Sequence, residues 1–226
     1  MADENIIKII KGDGAQGFNN WRQANPDVEI DLRGANLSNF YLAEINFSKA
    51  DLTGAQLKKA TLQKANFTGA RLAGVWFQSA NLTMANLTDA HLAGAQMNGV
   101  NLTNAILKQA YLWTVRLIGA NLTGADLSEA NLEVAHLMHA DLTNGVLTEA
   151  KLNRARLNQA TLRGTDLTHT SLEETDLRGV ICTTETNLRG ANLARARLED
   201  TNLDQVDLSH CTLTGTCLDP QKKTTE

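Results

Sequence analysis

The sequence predicts an all-β solenoid, a rod in which short segments coil around one apolar core. Three observations predict it. Leucine or another apolar residue recurs every five residues from Leu32 onward, and a small residue recurs two positions before each of these sites. Glycine falls mainly at one phase of this repeat, and proline lies outside the repeat or at its edge.

The five-residue period is unbroken over residues 32–182. It gives 31 consecutive sites, of which 26 are leucine and the other five are also apolar. A single six-residue step follows, from Cys182 to Leu188, and seven further sites continue to Leu218, for 38 in all. Alanine occupies the position two residues earlier at 22 of the 38 sites, and the residue between is usually polar. We interpret the six-residue step as a bulge at one corner.

A period of five fits neither an α-helix, with 3.6 residues per turn, nor a flat strand, with a period of 2.0. On a helix, a leucine at every fifth residue would leave no apolar stripe. A coil solves this problem if each five-residue unit turns one corner. The leucine and the small residue then point inward, three residues point outward, and successive coils bury each other's core.

The positions of glycine and proline support such corners independently. Twelve of the 16 glycines lie two residues after the leucine site, and Asn39, Asn104 and Asn144 occupy the same slot. Glycine and asparagine tolerate the positive φ that the third residue of a type II turn requires. Pro26 and Pro220 avoid the array, as expected where backbone N–H groups are needed for a ladder of hydrogen bonds.

The units at 120–124 (Ala-Asn-Leu-Thr-Gly) and 125–129 (Ala-Asp-Leu-Ser-Glu) resemble the consensus of the pentapeptide-repeat family, Ala-(Asp/Asn)-Leu-X-X. The resemblance covers about residues 30–219. It implies a right-handed quadrilateral β-helix with four pentapeptides per coil, and hence about nine to ten coils. At ~4.8 Å per coil the rod would be ~45 Å long.

Three regions follow from this pattern: a partly helical N-terminal cap at 1–29, the β-helix at 30–219 and a polar tail at 220–226. The segment 17–26 resembles the N-terminal cap of bacterial, notably cyanobacterial, members of the family. We expect a short helix at the isoleucines of 6–10, a glycine-rich break at 12–17, and Phe18 and Trp21 packed on the open end of the first coil.

Composition excludes several classes of protein. The net charge is −4 with both signs mixed along the chain, so direct binding to nucleic acid is not expected. No stretch approaches the roughly 20 apolar residues of a membrane helix, and the N-terminus lacks the features of a signal peptide. Three cysteines without framework spacing indicate thiols in a reducing compartment. The expected location is the cytoplasm.

No residue pattern indicates catalysis, a metal or a cofactor, so we expect a protein that is not an enzyme. His136 and His139 flank Leu137 but have no Cys, Asp or Glu cluster at suitable spacing for a metal. Cys182 and Cys211 occupy inward slots and are interpreted as core residues. Cys217 occupies an outward slot, without an evident histidine partner.

Several outward slots hold apolar residues in place of polar ones, and five of these residues form one group. In a coil of 20 residues, Ile118 and Met138 stack, and the others lie nearby on the middle coils. An exposed apolar patch of this kind can mark a contact with a partner, whereas stacked aromatic residues can equally serve stability. The candidate partner-binding patch consists of Tyr111, Trp113, Ile118, Val134 and Met138.

Two functions remain open. The first is a protein–protein interaction or scaffold module, a monomer or weak homodimer, with a partner that the sequence does not identify. The second is a DNA mimic that binds or protects a type II topoisomerase, as some family members do. A mimic requires carboxylates repeated along one side of the rod. One outward column, with residues spaced by 20, is instead mixed in charge: Trp76, Gln96, Arg116, His136, Arg156 and Asp176.

Overall fold

The computed structural model describes residues 3–219, so the predicted tail at 220–226 lies outside the described residues. Helix α1 spans Glu4–Ala24. From Asp31 to Thr212 the chain pairs with itself through parallel β-bridges. Up to residue 181 the partners are 20 residues apart, so each coil contains four five-residue units.

Helix α1 is longer than the sequence predicted. Asp3 caps it by accepting hydrogen bonds from the N–H groups of Asn5 and Ile6. The predicted break over 12–17 is confined to a kink at Gly14, with φ 66° and ψ −164°, and the helix then resumes. Glycine adopts this conformation without the penalty that a side chain would bring, so one residue is enough to redirect the chain.

The apolar side of α1 covers the open end of the first coil, as expected. Phe18 is fully buried, with its ring 5.4 Å from Phe47, and Trp21 stacks on Phe18 at 6.1 Å. Asn19 supplies the hydrogen bonds that an earlier coil would have supplied. Its amide donates to the carbonyl of Glu44 and its oxygen accepts from the N–H of Asn46. The cap therefore covers apolar side chains at that end and supplies hydrogen-bond partners to its backbone.

Backbone hydrogen bonds hold the coils together. In a typical unit, the residue before the leucine donates backward, from the N–H of Asp51 to the carbonyl of Ile30 at 2.8 Å. The leucine donates forward, from the N–H of Leu52 to the carbonyl of Arg71 at 2.8 Å. The residue two positions after the leucine also donates forward. Three of the five N–H groups of this unit thus bond to neighbouring coils.

The remaining two N–H groups of the unit are satisfied locally. The N–H of Ala55 donates to the carbonyl of Leu52 at 2.9 Å, which closes the corner turn. The N–H of Thr53 donates to the carboxylate of Asp51 at 3.0 Å. An Asn or Asp before the leucine therefore satisfies the one backbone donor that neither the ladder nor the turn uses. This explains why the polar slot is so often Asn or Asp.

The corners have the predicted conformation. Twelve glycines occupy the slot two residues after the leucine with φ between 61° and 80°. Within residues 3–219, 23 non-glycine residues adopt positive φ at the same slot. Thr114 and Val134 are the β-branched residues among them, and they are successive rungs of one row whose first four positions are Gly34, Gly54, Gly74 and Gly94.

The β-structure is less extended than an all-β prediction implies. Within the described part of the chain the pairing consists of isolated bridges, one residue per unit, and multi-residue strands are absent there. The reason is that most residues of each unit form the corner turn. The right-handed sense of the coil and its square cross-section stay predictions.

Leucine lines the core as predicted, since Leu82 and Leu122 are fully buried and Leu162 nearly so. The prediction is wrong at the end of the array. Leu208 and Leu213 are only half-buried, and Leu218 is 37% exposed. No following coil covers them among the described residues.

Threonine replaces alanine in the later coils and adds a bond. Thr165, Thr170 and Thr175 are buried, and each hydroxyl donates at 2.9 Å to a leucine carbonyl of the preceding coil. Thr186 does the same at 2.6 Å within the six-residue step. Across that step the pairing distance changes from 20 to 21 residues, so the extra residue is absorbed in the turn between Cys182 and Asn187.

Replacing Val134 by glycine should stabilise the protein by about 1 kcal/mol, because a side chain at positive φ costs about 1–2 kcal/mol and the extra freedom of glycine in the unfolded chain returns part of that gain. Thermal and urea unfolding of Val134→Gly measure the change. Gly94→Val is the matched control, since Gly94 lies in the same row and no atom lies within 4 Å of the point that a Cβ would occupy. Gly94→Val should lower the free energy of unfolding. Equal stability of both variants would contradict backbone strain at Val134.

Thiol labelling should distinguish the three cysteines. Burial raises the pKa of the Cys182 thiol to about 11. Burial also raises the pKa of Cys211, whose Sγ donates to the carbonyl of Leu188 at 2.9 Å. At pH 8, iodoacetamide should therefore modify exposed Cys217 first and Cys182 only after unfolding. Peptide mass mapping over time measures this order, and rapid labelling of Cys182 in the native protein would contradict it.

Candidate interaction surface

The middle coils carry a surface that we name the Arg116 face. Its centre is a column of three residues joined by backbone β-bridges, in which Arg116 pairs with His136 and His136 pairs with Arg156. The column is bordered by two successive corners of the same coils. The corner residues of the face are Trp113 and Val134 on the side that precedes the column, and Ile118 and Met138 on the side that follows it.

The preceding corner holds the most exposed apolar groups of the face. Trp113 is 44% exposed and Val134 is 38% exposed. Both line a shallow groove together with Asn153, Arg154 and three glutamates, Glu133, Glu173 and Glu174. The strained backbone of Val134 holds its side chain at this corner, where glycine serves the fold in the four earlier coils.

The following corner is less exposed. Ile118 and Met138 are half-buried and line a second depression, together with His139, Arg156 and Asn158. The N–H of Ile118 donates to the side-chain oxygen of Asn98 at 3.2 Å. Ile118 and Met138 each lie two residues after a column residue, Arg116 and His136, which pair directly. The two apolar residues therefore occupy successive rungs of one corner row.

Tyr111 stands apart from both corners. It belongs to the preceding column, where its ring lies 4.8 Å from that of His91, and it is 37% exposed. The five residues of the predicted patch therefore lie on two corners and one adjoining column, with Arg116 and His136 between the corners. The surface is cationic at its centre, and its borders combine exposed apolar residues with charged ones such as Glu133 and Arg178.

The column is electrostatically unusual. Within residues 3–219, Arg116 and Arg156 make no ion pair, and the two flank His136 directly. The pKa of His136 is lowered, first by burial and then by the positive charges of Arg156 and Arg116. Neutral His136 reduces the repulsion within the column, because a third charge there would lie between two like charges.

Other arginines near the face are paired, unlike the two in the column. Arg154 contacts Glu174 at 2.8 Å, and Arg195 joins this pair by contacting the same carboxylate. Asp176 is the rung that follows Arg156 in the column, but its carboxylate contacts Arg178 at 2.7 Å. The nearest carboxylate of the column is therefore already engaged by another arginine.

The opposite charge occurs half a coil away. Asp126 and Asp166 lie in one column, and Glu129 and Glu149 lie in one corner row beside it. Lys108 contacts Glu129 at 3.3 Å, and Val146 separates the two aspartates of the column. This side is acidic only in part and does not form a continuous stripe of carboxylates.

Among residues 3–219, no group of three His, Cys, Asp or Glu side chains is placed to hold a metal ion. In the same range no helix has the length and apolar character needed to cross a bilayer. What the surface can do chemically is attract carboxylates and cover apolar side chains.

Sequence reasoning located the apolar members of the face but missed its charge. It found no metal-site spacing around His136 and used the column only to argue against a DNA mimic. The signal was present, because Arg116, His136 and Arg156 are spaced by 20 residues and therefore stack. What the sequence could not show was which arginines find a carboxylate.

Comparison with known proteins supports the repeat assignment. The model of the family described as pentapeptide repeats matches the chain in eight copies, over 30–69, 70–109, 105–144, 116–152, 140–179 and 184–219. No curated protein sequence matches the chain.

Several solved structures resemble the chain. HetL from the cyanobacterium Nostoc sp. strain PCC 7120, a pentapeptide repeat protein involved in heterocyst differentiation regulation, is 29% identical over 88% of this chain and 93% of its own, with a TM-score of 0.42. QnrB1, a plasmid-mediated fluoroquinolone resistance protein, is 18% identical over 87% of this chain and 88% of its own, with a TM-score of 0.56. The latter likeness concerns the fold alone.

The family model covers most of residues 30–219, and the inward leucines, the corner turns and the 20-residue pairing agree with it. The chain belongs to the pentapeptide-repeat family.

Proposed function

We propose that this protein is a non-enzymatic protein-interaction module whose partner binds the Arg116 face. The observation that carries the proposal is the row containing Val134. Its first four positions are glycine, as the corner conformation favours, and it then changes to Thr114 and Val134 beside exposed Trp113. A β-branched residue at positive φ weakens the fold, and strain of this kind concentrates at functional sites.

Stability alone does not account for the arrangement. A valine that served the core would be buried, whereas Val134 is 38% exposed. Trp113 likewise exposes part of a large apolar ring to solvent. Exposed aromatic residues next to aliphatic ones are typical of the residues that dominate protein–protein binding energies. The rigid ladder beneath them supports this use, because it presents the surface without an entropic cost of ordering.

Replacing Trp113 by alanine should reduce binding of the partner at least fivefold while the melting temperature changes by only a few degrees, because the ring is outside the core. Affinity capture from cells of the native host, followed by mass spectrometry, identifies proteins retained by the wild type and lost with Trp113→Ala. Trp76→Ala is the matched control, since Trp76 is 42% exposed but lies two coils before Arg116 in the column, under the ammonium of Lys58. Retention unchanged by Trp113→Ala would contradict the proposal.

A DNA mimic that binds a type II topoisomerase is the alternative function. The acidic side with Asp126 and Asp166 is the surface that would serve it. Its carboxylates are interrupted by Val146, and Glu129 is paired with Lys108. These features make it a poor copy of a phosphate backbone, which carries a charge at every nucleotide.

A supercoiling assay separates the two functions. Excess purified protein should leave DNA gyrase supercoiling unchanged, with and without a quinolone. Inhibition or protection that is lost in a double variant Asp126→Asn, Asp166→Asn would establish the alternative and contradict a role restricted to the Arg116 face.

A further inference from the structure

The column at the centre of the Arg116 face holds two arginines without ion pairs. Nearby arginines on the adjacent corners contact carboxylates at 2.7–2.8 Å. Arg116 and Arg156 have no such contact within residues 3–219, and they are two rungs apart with His136 between them. At ~4.8 Å per rung the two positions are separated by ~10 Å. Like charges at this distance repel one another, although salt at physiological ionic strength screens part of the repulsion.

An anion bound across the column would relieve this repulsion. It would contact two guanidinium groups, which bind carboxylates through paired N–H donors. The chemistry of the anion is indicated by the borders of the face, where Trp113 and Val134 lie on one side and Ile118 and Met138 on the other. A ligand that covers both borders needs apolar side chains beside its negative charges.

We infer that the Arg116 face binds a segment of a partner protein in which acidic residues alternate with large apolar residues. This inference rests on the proposed function and names the chemistry of the partner. The carboxylates contact Arg116 and Arg156, and the apolar side chains cover the two corners. A nucleic acid fits less well, because it offers no aliphatic groups for the borders and would approach a chain of net charge −4.

Binding should depend on pH through His136. The charged and titratable groups around it are Arg116, Arg156 and Asp176 in its column, Glu133 and Arg154 on the preceding corner, and His139 and Arg178 on the following corner. The free protein has a lowered pKa at His136 because of burial and the two arginines. A bound carboxylate raises that pKa, so the complex holds more protons than the free protein. Affinity therefore increases as pH falls from 8 to 6.

The direct test uses a fluorescent 14-residue peptide in which Glu or Asp alternates with Leu or Phe, and a second peptide in which Gln and Asn replace the acids. Fluorescence anisotropy at 50 mM salt should show binding of the acidic peptide only. Raising the salt to 300 mM should weaken binding several-fold, because the contacting charges are partly exposed. Binding that is equal for the neutral peptide would overturn the inference.

Variants assign the binding to the column. Arg116→Gln and Arg156→Gln should each weaken binding about tenfold, the effect of losing one charge-assisted contact. Arg163→Gln is the control, since Arg163 is an exposed corner arginine of a different side. It should leave affinity unchanged. His136→Asn should remove most of the increase in affinity between pH 8 and pH 6, and an unchanged pH profile would overturn the role of the histidine.

Other occupants give distinct results. A labelled DNA duplex that binds as tightly as the acidic peptide, or sedimentation showing self-association that Arg116→Gln abolishes, would overturn the choice of partner. If the acidic peptide fails to bind while Trp113→Ala still reduces capture of a partner, the inferred chemistry is wrong and the proposed function stands. If Trp113→Ala also has no effect on capture, both are wrong. Unfolding curves of each variant establish that it is folded.

Discussion

The pairing register between successive coils is the constraint on which the rest of the structure depends. Because residue i pairs with residue i + 20, each leucine site lies over another leucine site and each small-residue site over another small-residue site. A shift of one residue would place polar slots against the core and remove the hydrogen bonds of every later unit. The six-residue step shows how strictly this alignment is kept. The chain adds a residue in the turn before Asn187, and Asp166 pairs with Asn187 so that Leu167 and Leu188 keep equivalent positions.

The register also determines how the N–H group at each of the five positions of a unit is hydrogen-bonded. In a typical unit, three N–H groups bond between coils, one closes the turn and one is satisfied by the Asn or Asp side chain. Several hydrogen bonds per unit therefore fix the backbone conformation, and the corner can hold a residue that does not favour positive φ. This explains how 23 non-glycine residues within residues 3–219 adopt positive φ. The ladder stabilises the fold strongly enough for the corner residues to vary, and Val134 is the extreme case because its side chain is both branched and exposed.

Much of the fold could be predicted from the sequence because the repeat states the same information many times. The inward sites, the corner slot and the N-terminal helix follow from the pattern of Leu, Gly and the isoleucines. The continuation of α1 beyond Gly14 could not be predicted, since a glycine-rich segment is equally compatible with a break and with a kink. The exposure of Leu218 was also missed, because a periodic pattern does not reveal which unit lacks a covering coil.

The candidate site was predictable only in part, and for a different reason. Exposed apolar residues depart from the repeat and are visible one at a time, whereas charges are informative only when the partners of each are known. In this fold those partners lie either two residues or about 20 residues away. Arg154 and Arg156 look alike in the sequence, yet Arg154 contacts Glu174 and Arg156 has no ion pair within residues 3–219.

Net charge conceals this distinction because the coil separates the two signs in space. Along the chain, acidic and basic residues are mixed and sum to −4. In the structure, Arg116 and Arg156 lie in one column, whereas Asp126 and Asp166 lie in another, half a coil away. Charges mixed in sequence therefore become partly separated by column, and different columns of one rod can attract different groups. For a solenoid, the charge relevant to recognition is the charge of a column, since that is the set of side chains that a partner meets at once.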